Sequence, residues 1–467
     1  MDQVNEHATF HQDDKFERER YMEMCMKIIE THPSDRGACT IAVDAPWGVG
    51  KSTFLWMWIN ALNASNEALI PDMDTKEIPS KRPVLTIYYN AWESDFCDSA
   101  LAPLLYSICA MFEKKRDMGW LSPKDDDFLK NFIASCASVL AIVGAKLAGA
   151  DDISAQAAGV LGEVSTRGVM NLLNRSSKSG VKEPELGSIG KAYDEQLEAR
   201  NAFRKALTAL AQKFGGVYIF IDELDRCKPS FAIDTLDMIK HYFNIPGLTF
   251  IFGVDMLQLG HAISGRYGSN YDAEGYLSKF FEHHISLPAP TAEQMIHSCD
   301  PSIALYGDAY KRLDDIFRAC WVSPREISRI VKAGNTLCTI IWKDIVHYSQ
   351  NAARNFIFML VSIKYRQTRV YNKFINGEAD WNESFWNDKH SFWPYLSFFF
   401  PYILKTAEEC TKEWNNILSQ RNYLSNPSDE LSEDMSSIGK AIIEWIHPHN
   451  TDTFGCCLSQ FMEQVYI

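Results

Sequence analysis

The sequence lacks the marks of a secreted, disulfide-built or nucleic-acid-coating protein. Its twelve cysteines form no C-x-x-C pair and one vicinal pair, Cys456 and Cys457. That scatter reads as reduced, cytosolic usage rather than a disulfide framework or a zinc site. Basic residues are in deficit: 46 Lys and Arg against 60 Asp and Glu give a net charge of −14. A broad basic stripe, which phosphate-backbone binding requires, is therefore not indicated. The polar opening MDQVNEHATFHQDDKFERER carries no secretory signal. One apolar and small-residue run, Phe132 to Ala145, stops at Lys146 after fourteen residues. A spanning helix needs ~20 apolar residues, so a buried helix or helical hairpin is expected, with no membrane role. Internal repeats and low-complexity tracts are missing too.

What is present is enough apolar material, 46 % of 467 residues with 12 % aromatic, for two or three packed units. Apolar residues at helical spacing predict a helix over 14–31. Short β-branched and aromatic runs predict strands at CTIAVDA (39–45), VLTIYY (84–89), VYIFI (217–221) and LTFIFGV (248–254). Helices are expected between them, among them 195–213 and 230–243. Such alternation predicts a doubly wound parallel α/β sheet covered on both faces. The expected organisation is an N-terminal helical segment (1–36), a core in two parts (37–116 and 195–290) around a helical insertion (117–194), a helical lid (291–345), and a helical, aromatic-rich C-terminal domain (346–467). Within the insertion, NRSSKSGVKEPELGSIGK reads as exposed loop. The aromatic cluster at 381–402 reads as core or, alternatively, a docking surface.

The chemistry sits in two segments. APWGVGKST, Ala45 to Thr53, lies between a predicted strand and a predicted helix and matches G-x-x-x-x-G-K-[ST] except for Ala45 at its first position. Gly48 and Gly50 allow the backbone N–H groups to turn inward around phosphates. Lys51 can reach the β- and γ-phosphates, and the Ser52 hydroxyl can ligate Mg²⁺. The second segment, VYIFIDELDR, ends a buried strand in acids. Asp222 fits the Mg²⁺-holding carboxylate of phosphoryl transfer, and Glu223 fits the base or water-orienting group beside it. Asp225 is the alternative for that second role, or a partner for Arg226. Asp255, at the end of FIFGVD, is either a residue sensing the γ-phosphate or a helix cap.

These stretches, with YYNAWES (88–94), YLSKFFEHHISLPAP (276–290) and SPREISRI (323–330), resemble the KAP P-loop NTPases of the AAA+/STAND-like branch. The order of the pieces is more specific than any one of them. The resemblance implies nucleotide contacts from Pro46, Trp47, Gly48, Val49, Gly50, Lys51, Ser52 and Thr53, and Mg²⁺ at Ser52 and Asp222. It places Asp255 at a sensor position and Arg325 as a second sensor from the lid, with Lys279 or Arg226 as a cationic finger toward a neighbouring subunit. The long separation of Lys51 and Asp222 is characteristic of the family, many of whose members carry transmembrane helices there. Several bacterial members sit in anti-phage defence systems. The expectation is thus a cytoplasmic ATPase that couples ATP and Mg²⁺ to conformational change or assembly with other proteins of the same system, or with copies of itself. The competitors are a nucleotide-loaded switch with little turnover, a membrane-attached NTPase, and a nucleic-acid motor. ATP is preferred to GTP by resemblance, since no N-K-x-D motif occurs.

Overall fold

A computed structural model describes residues 5–33, 35–67, 83–97, 99–117, 126–148, 186–299, 317, 324–341, 350–366 and 368–378, with four isolated positions between 405 and 416. The chain forms two compact units, Met1–Pro288 and Ala289–Ile467.

The first unit is built on five parallel strands: β1 (Cys39–Asp44), β2 (Leu85–Asn90), β3 (Val217–Asp222), β4 (Leu248–Val254) and β5 (His283–Ser286). They lie in the order β2-β3-β4-β1-β5. Its helices are α1 (Phe10–Asp13), α2 (Glu19–Thr31), α3 (Lys51–Glu67), α4 (Leu101–Asp117), α5 (Asp126–Ala148), α6 (Leu186–Lys213), α7 (Pro229–Tyr242), α8 (Met256–Tyr267) and α9 (Ala273–Leu277). The second unit contains α10 (Ala292–Cys299), α11 (Pro324–Ile341), α12 (Gln350–Arg366) and α13 (Thr368–Ile375).

Alternation along the strands divides the core into two layers. Val217, Ile219 and Ile221 of β3, with Leu248, Phe250, Phe252 and Val254 of β4, face α4 to α8. Cys39, Ile41 and Val43 of β1, with Tyr218, Phe220 and Ile251, face α2 and α3. Central strands buried on both faces need apolar residues at every position, which is why β3 and β4 read as unbroken apolar runs.

The apolar segment expected to be a buried helix forms most of α5. Its Phe132 stacks edge-on against Phe112 of α4 at 5.2 Å and lies 6.3 Å from Phe203 of α6, joining the main core. Among the described residues, no helix is long and apolar enough to cross a membrane.

The structure departs from the expectations at three places. The helix expected over 14–31 begins at Glu19, because the Asp14 carboxylate accepts from the backbone of Arg18 and Glu19 and turns the chain there. The helix expected over 195–213 begins at Leu186, so part of the stretch read as loop is helical. Strand β5 was not anticipated: it is a short edge strand whose residues alternate between half-buried and exposed, and it has no apolar run to betray it. The aromatic cluster at 381–402 lies outside the described residues.

Gly253, inside β4, is required by close approach. A Cβ there would stand 2.8 Å from Leu55 Cδ1 of α3 and 3.0 Å from the Asp222 Oδ1 of β3. Gly253→Ala should therefore cost about 2 kcal/mol through overpacking. A lower denaturant midpoint with an unchanged m-value is the expected outcome, and an unshifted midpoint would show that α3 does not press on β4 as described.

Candidate functional site

In an open parallel sheet, side chains gather where neighbouring connections leave the strand tips in opposite directions. Here β1 feeds α3 and the chain then crosses to the far edge at β2, whereas β5 lies on β1's other side. The turn Ala45–Gly50 fills that gap. Gly48 and Gly50 have φ of 84° and 94°, values that a side chain would strain, and α3 starts directly at Lys51. The helix thus presents its unpaired first N–H groups and positive dipole end at the turn.

Arg18 holds this turn from behind. Its guanidinium is 2 % exposed and donates to Val49 O at 2.7 Å, Gly50 O at 3.2 Å and Pro288 O at 3.4 Å. Burial lowers its pKa to about 10, with Asp14 opposing that shift, so it stays charged at neutral pH. Two carbonyls of the turn are therefore committed to Arg18. Nothing in the sequence pattern distinguished Arg18 from the other charges of the N-terminal segment.

Asp222 closes β3 beside the turn and is 1 % exposed. Its Oδ1 accepts from the Glu223 backbone at 2.9 Å, its Oδ2 accepts from the Tyr88 hydroxyl at 3.1 Å, and the Ser52 side chain also hydrogen-bonds it. Burial, opposed by the Ser52 and Tyr88 hydrogen bonds and aided by the nearby Glu223 charge, brings its carboxyl up to about 6 in all. The structure thus brings together Ser52 and Asp222, the two residues singled out for Mg²⁺. Tyr88, from the end of β2, is an addition that sequence reasoning missed.

Lys51 is 9 % exposed, and its ammonium donates to Ala45 O at 2.5 Å and Pro46 O at 3.4 Å. Burial lowers its pKa, while the charges of Asp225, Asp255 and Asp222 raise it in that order. One lysine therefore faces three buried carboxylates, an excess of negative charge that suits a divalent cation. A hydroxyl and a carboxylate are also the hard oxygen donors that Mg²⁺ takes.

Glu223 and Asp225 are separated by backbone geometry. Glu223 adopts φ 59° and ψ 24°, a left-handed conformation costly for a non-glycine residue. Its carboxylate is held by Arg226 at 2.6 Å and by the Asn90 amide at 3.4 Å. Asp225 is buried and accepts from the Trp47 indole at 2.5 Å. The ion pair expected for Asp225 with Arg226 is thus made by Glu223 instead, because the left-handed turn brings that carboxylate back over Arg226.

Asp255 is the N-cap of α8 and accepts from the Gln258 backbone at 3.1 Å. The cap expected of it is formed, and its charge also reaches Lys51. Asp44, which was not anticipated, accepts from the Met256 backbone and pairs with His284, both at 2.9 Å. Trp47 is 45 % exposed and Pro46 lies beside it at the surface; Thr53 is half-buried in the first turn of α3. Lys279 is exposed just beyond α9, away from the hydrogen-bonded cluster. Arg325 is an exposed residue near the start of α11, in the second unit.

A glycine turn between a parallel strand and a helix, a buried lysine, and a hydroxyl of that helix bonded to a carboxylate at the tip of β3 define a P-loop nucleoside triphosphatase. The particular family follows from comparison: the KAP family P-loop domain matches residues 18–382, and the chain belongs to that family. Curated proteins give no match. Among solved structures, the chain is similar to the ORC2 protein of Aeropyrum pernix, determined as ADPNP–ADP complexes. The two share 11 % identity over 74 % of this chain and 68 % of that one, with a TM-score of 0.32. A likeness at that level bears on neither ligand nor partner.

Because the folded Asp222 carboxyl holds its proton more tightly than an ordinary carboxyl at 3.8, ionising it opposes folding. That destabilisation sets in as pH rises above 3.8 and is complete above about 6. Asp222→Asn should therefore stabilise the nucleotide-free chain at pH 7.5 by ~1–3 kcal/mol, less near pH 4.5. Thermal melts at the two pH values check this; a variant less stable at pH 7.5 than at 4.5, relative to wild type, would contradict it.

Proposed function

We propose that the chain binds ATP with Mg²⁺ and hydrolyses the β–γ bond, coupling the cycle to conformational change or assembly with partner proteins of an anti-phage defence system. Membership in the KAP family supports nucleotide binding and hydrolysis. The observation that carries the fuller reading is the convergence of Lys51, Ser52, Asp222 and Glu223 on one strand-tip crevice.

In this reading the Gly48–Lys51 backbone wraps the phosphates and the Lys51 ammonium leaves the Ala45 carbonyl for the β- and γ-oxygens. Ser52 and Asp222 would hold Mg²⁺, which would supply neutralisation of phosphate charge. Glu223 orients the attacking water and takes its proton. Asp255 stands next to Lys51, where it can register the γ-phosphate through that ammonium. Arg226 or Lys279 would act on a neighbouring subunit in a homo-oligomer. Partners are proteins rather than nucleic acid, in keeping with the −14 charge, and the setting is the cytoplasm.

A second reading, a switch that turns over slowly, is favoured by one observation: Glu223 is already held by Arg226 and Asn90. A glutamate so held must be released before it can take a proton, which lowers basal turnover.

Steady-state phosphate release by the purified chain, beside Lys51→Ala and Glu223→Gln, separates these readings. Lys51→Ala should abolish nucleotide binding. Glu223→Gln should retain binding and lose at least 100-fold in turnover, within the usual range for a general base. Tight binding with no turnover in wild type would favour the switch, and intact binding by Lys51→Ala would sink both.

A further inference from the structure

At the opposite end of the sheet from the strand tips, a second set of donor side chains converges. His32 follows the last turn of α2, Cys39 opens β1, and His283 opens β5. One ligating atom from each lies within 4.8 Å of the others. Sheet geometry explains the meeting. Cys39 and Ile41 point to the same face of β1, and His283 is in register with Ile41, so all three lie on the face that α2 covers. The two histidines are half-buried and Cys39 is buried.

His32 provides a second, independent observation. Its Nε2 is 3.0 Å from Gly37 O, and its Nδ1 is 3.5 Å from Glu282 Oε2. A neutral imidazole has one N–H, so it cannot donate to both acceptors. With that N–H given to Gly37 O, the neutral ring presents Nδ1 as a lone-pair donor, since its 3.5 Å separation from Glu282 is no hydrogen bond. Donation from Nε2 to a backbone carbonyl is the arrangement that orients a metal-bound histidine and directs its other nitrogen at the ion. The second oxygen of Glu282 is engaged by Arg36 at 3.2 Å, which leaves Oε2 turned toward His32.

We propose that His32, Cys39 and His283 bind one zinc-class divalent ion, with a water in the fourth position. A thiolate and two imidazoles select a soft, four-coordinate ion over Mg²⁺ or Ca²⁺. Zinc at about 2.1 Å from nitrogen and 2.3 Å from sulfur sets its donors roughly 3.3–3.8 Å apart. Closure from the present separations therefore takes only side-chain rotation of about an ångström. Binding forms one Zn–S and two Zn–N bonds and releases the thiol proton to solvent.

The ion would act at a distance on the nucleotide site. Helix α2 runs from Arg18, which grips the P-loop carbonyls, to His32; β5 runs from His283 toward Pro288, whose carbonyl Arg18 also holds. Fixing the far ends of α2 and β5 together braces both elements that meet at Arg18. The scattered cysteines concealed this set because its donors come from three elements with no local spacing between them.

The test uses the untagged full chain, first emptied with a chelator and then titrated with Co²⁺ or Zn²⁺ in the absence of nucleotide. One equivalent of Co²⁺ should give a thiolate charge-transfer band and the intense visible bands of a four-coordinate ion, and one equivalent of Zn²⁺ should displace it. Cys39→Ser should remove the charge-transfer band, His283→Gln and His32→Gln should weaken binding at least tenfold, and Cys97→Ser should change neither. Because a variant can fail to fold, the wild-type spectrum is decisive by itself. No stoichiometric binding, a six-coordinate spectrum without a thiolate band, or a band that persists in folded Cys39→Ser each overturns the proposal.

Discussion

A buried lysine facing more carboxylate charge than it can neutralise is the constraint around which the first unit is arranged. Lys51 lies among Asp222, Asp225 and Asp255, and burial raises the cost of every unpaired charge there. Such a cluster persists only if the surrounding structure holds it. The strands β1, β3 and β4 do so by being apolar at nearly every position, so that their polar tips are fixed by a core with no freedom to slip register. The helix dipole of α3 already points into the crevice so formed.

Supporting contacts divide the work of positioning. Arg18 anchors the outer carbonyls of the P-loop, Trp47 ties the turn to Asp225, and Asp44 links β1 to the start of α8 and to β5. Tyr88 and Asn90, both from the end of β2, reach Asp222 and Glu223 respectively. The edge strand β2 thus reaches both Asp222 and Glu223 at once. A substitution in β2 would alter the site without any direct contact to phosphate.

The parts legible in the sequence are those that local physics dictates. Glycines at 48 and 50 are needed for positive φ, and β3 is an unbroken buried run that ends in acids, so the turn and the acidic strand tip could be named from pattern. Four of five strands were legible for the same reason. Strand β5 was not, because an edge strand needs little apolar surface. Arg18, Tyr88 and Asp44 were invisible because their importance lies in partners far away in sequence: 31 residues separate Arg18 from Val49, and 134 separate Tyr88 from Asp222. That Glu223 rather than Asp225 pairs with Arg226 goes with a single left-handed residue, which side-chain type alone does not specify.

The central claim is that Asp222, protonating near 6 in the folded chain, is the carboxylate that Mg²⁺ and nucleotide require in its charged form. Calorimetric titration of the full chain with preformed Mg²⁺–ATP at pH 6 and pH 8, each in two buffers of different ionisation enthalpy, tests this most directly. The account predicts release of a substantial fraction of a proton on binding at pH 6 and almost none at pH 8. Binding that releases no proton at pH 6, or that is equally tight when Mg²⁺ is withheld, would contradict it.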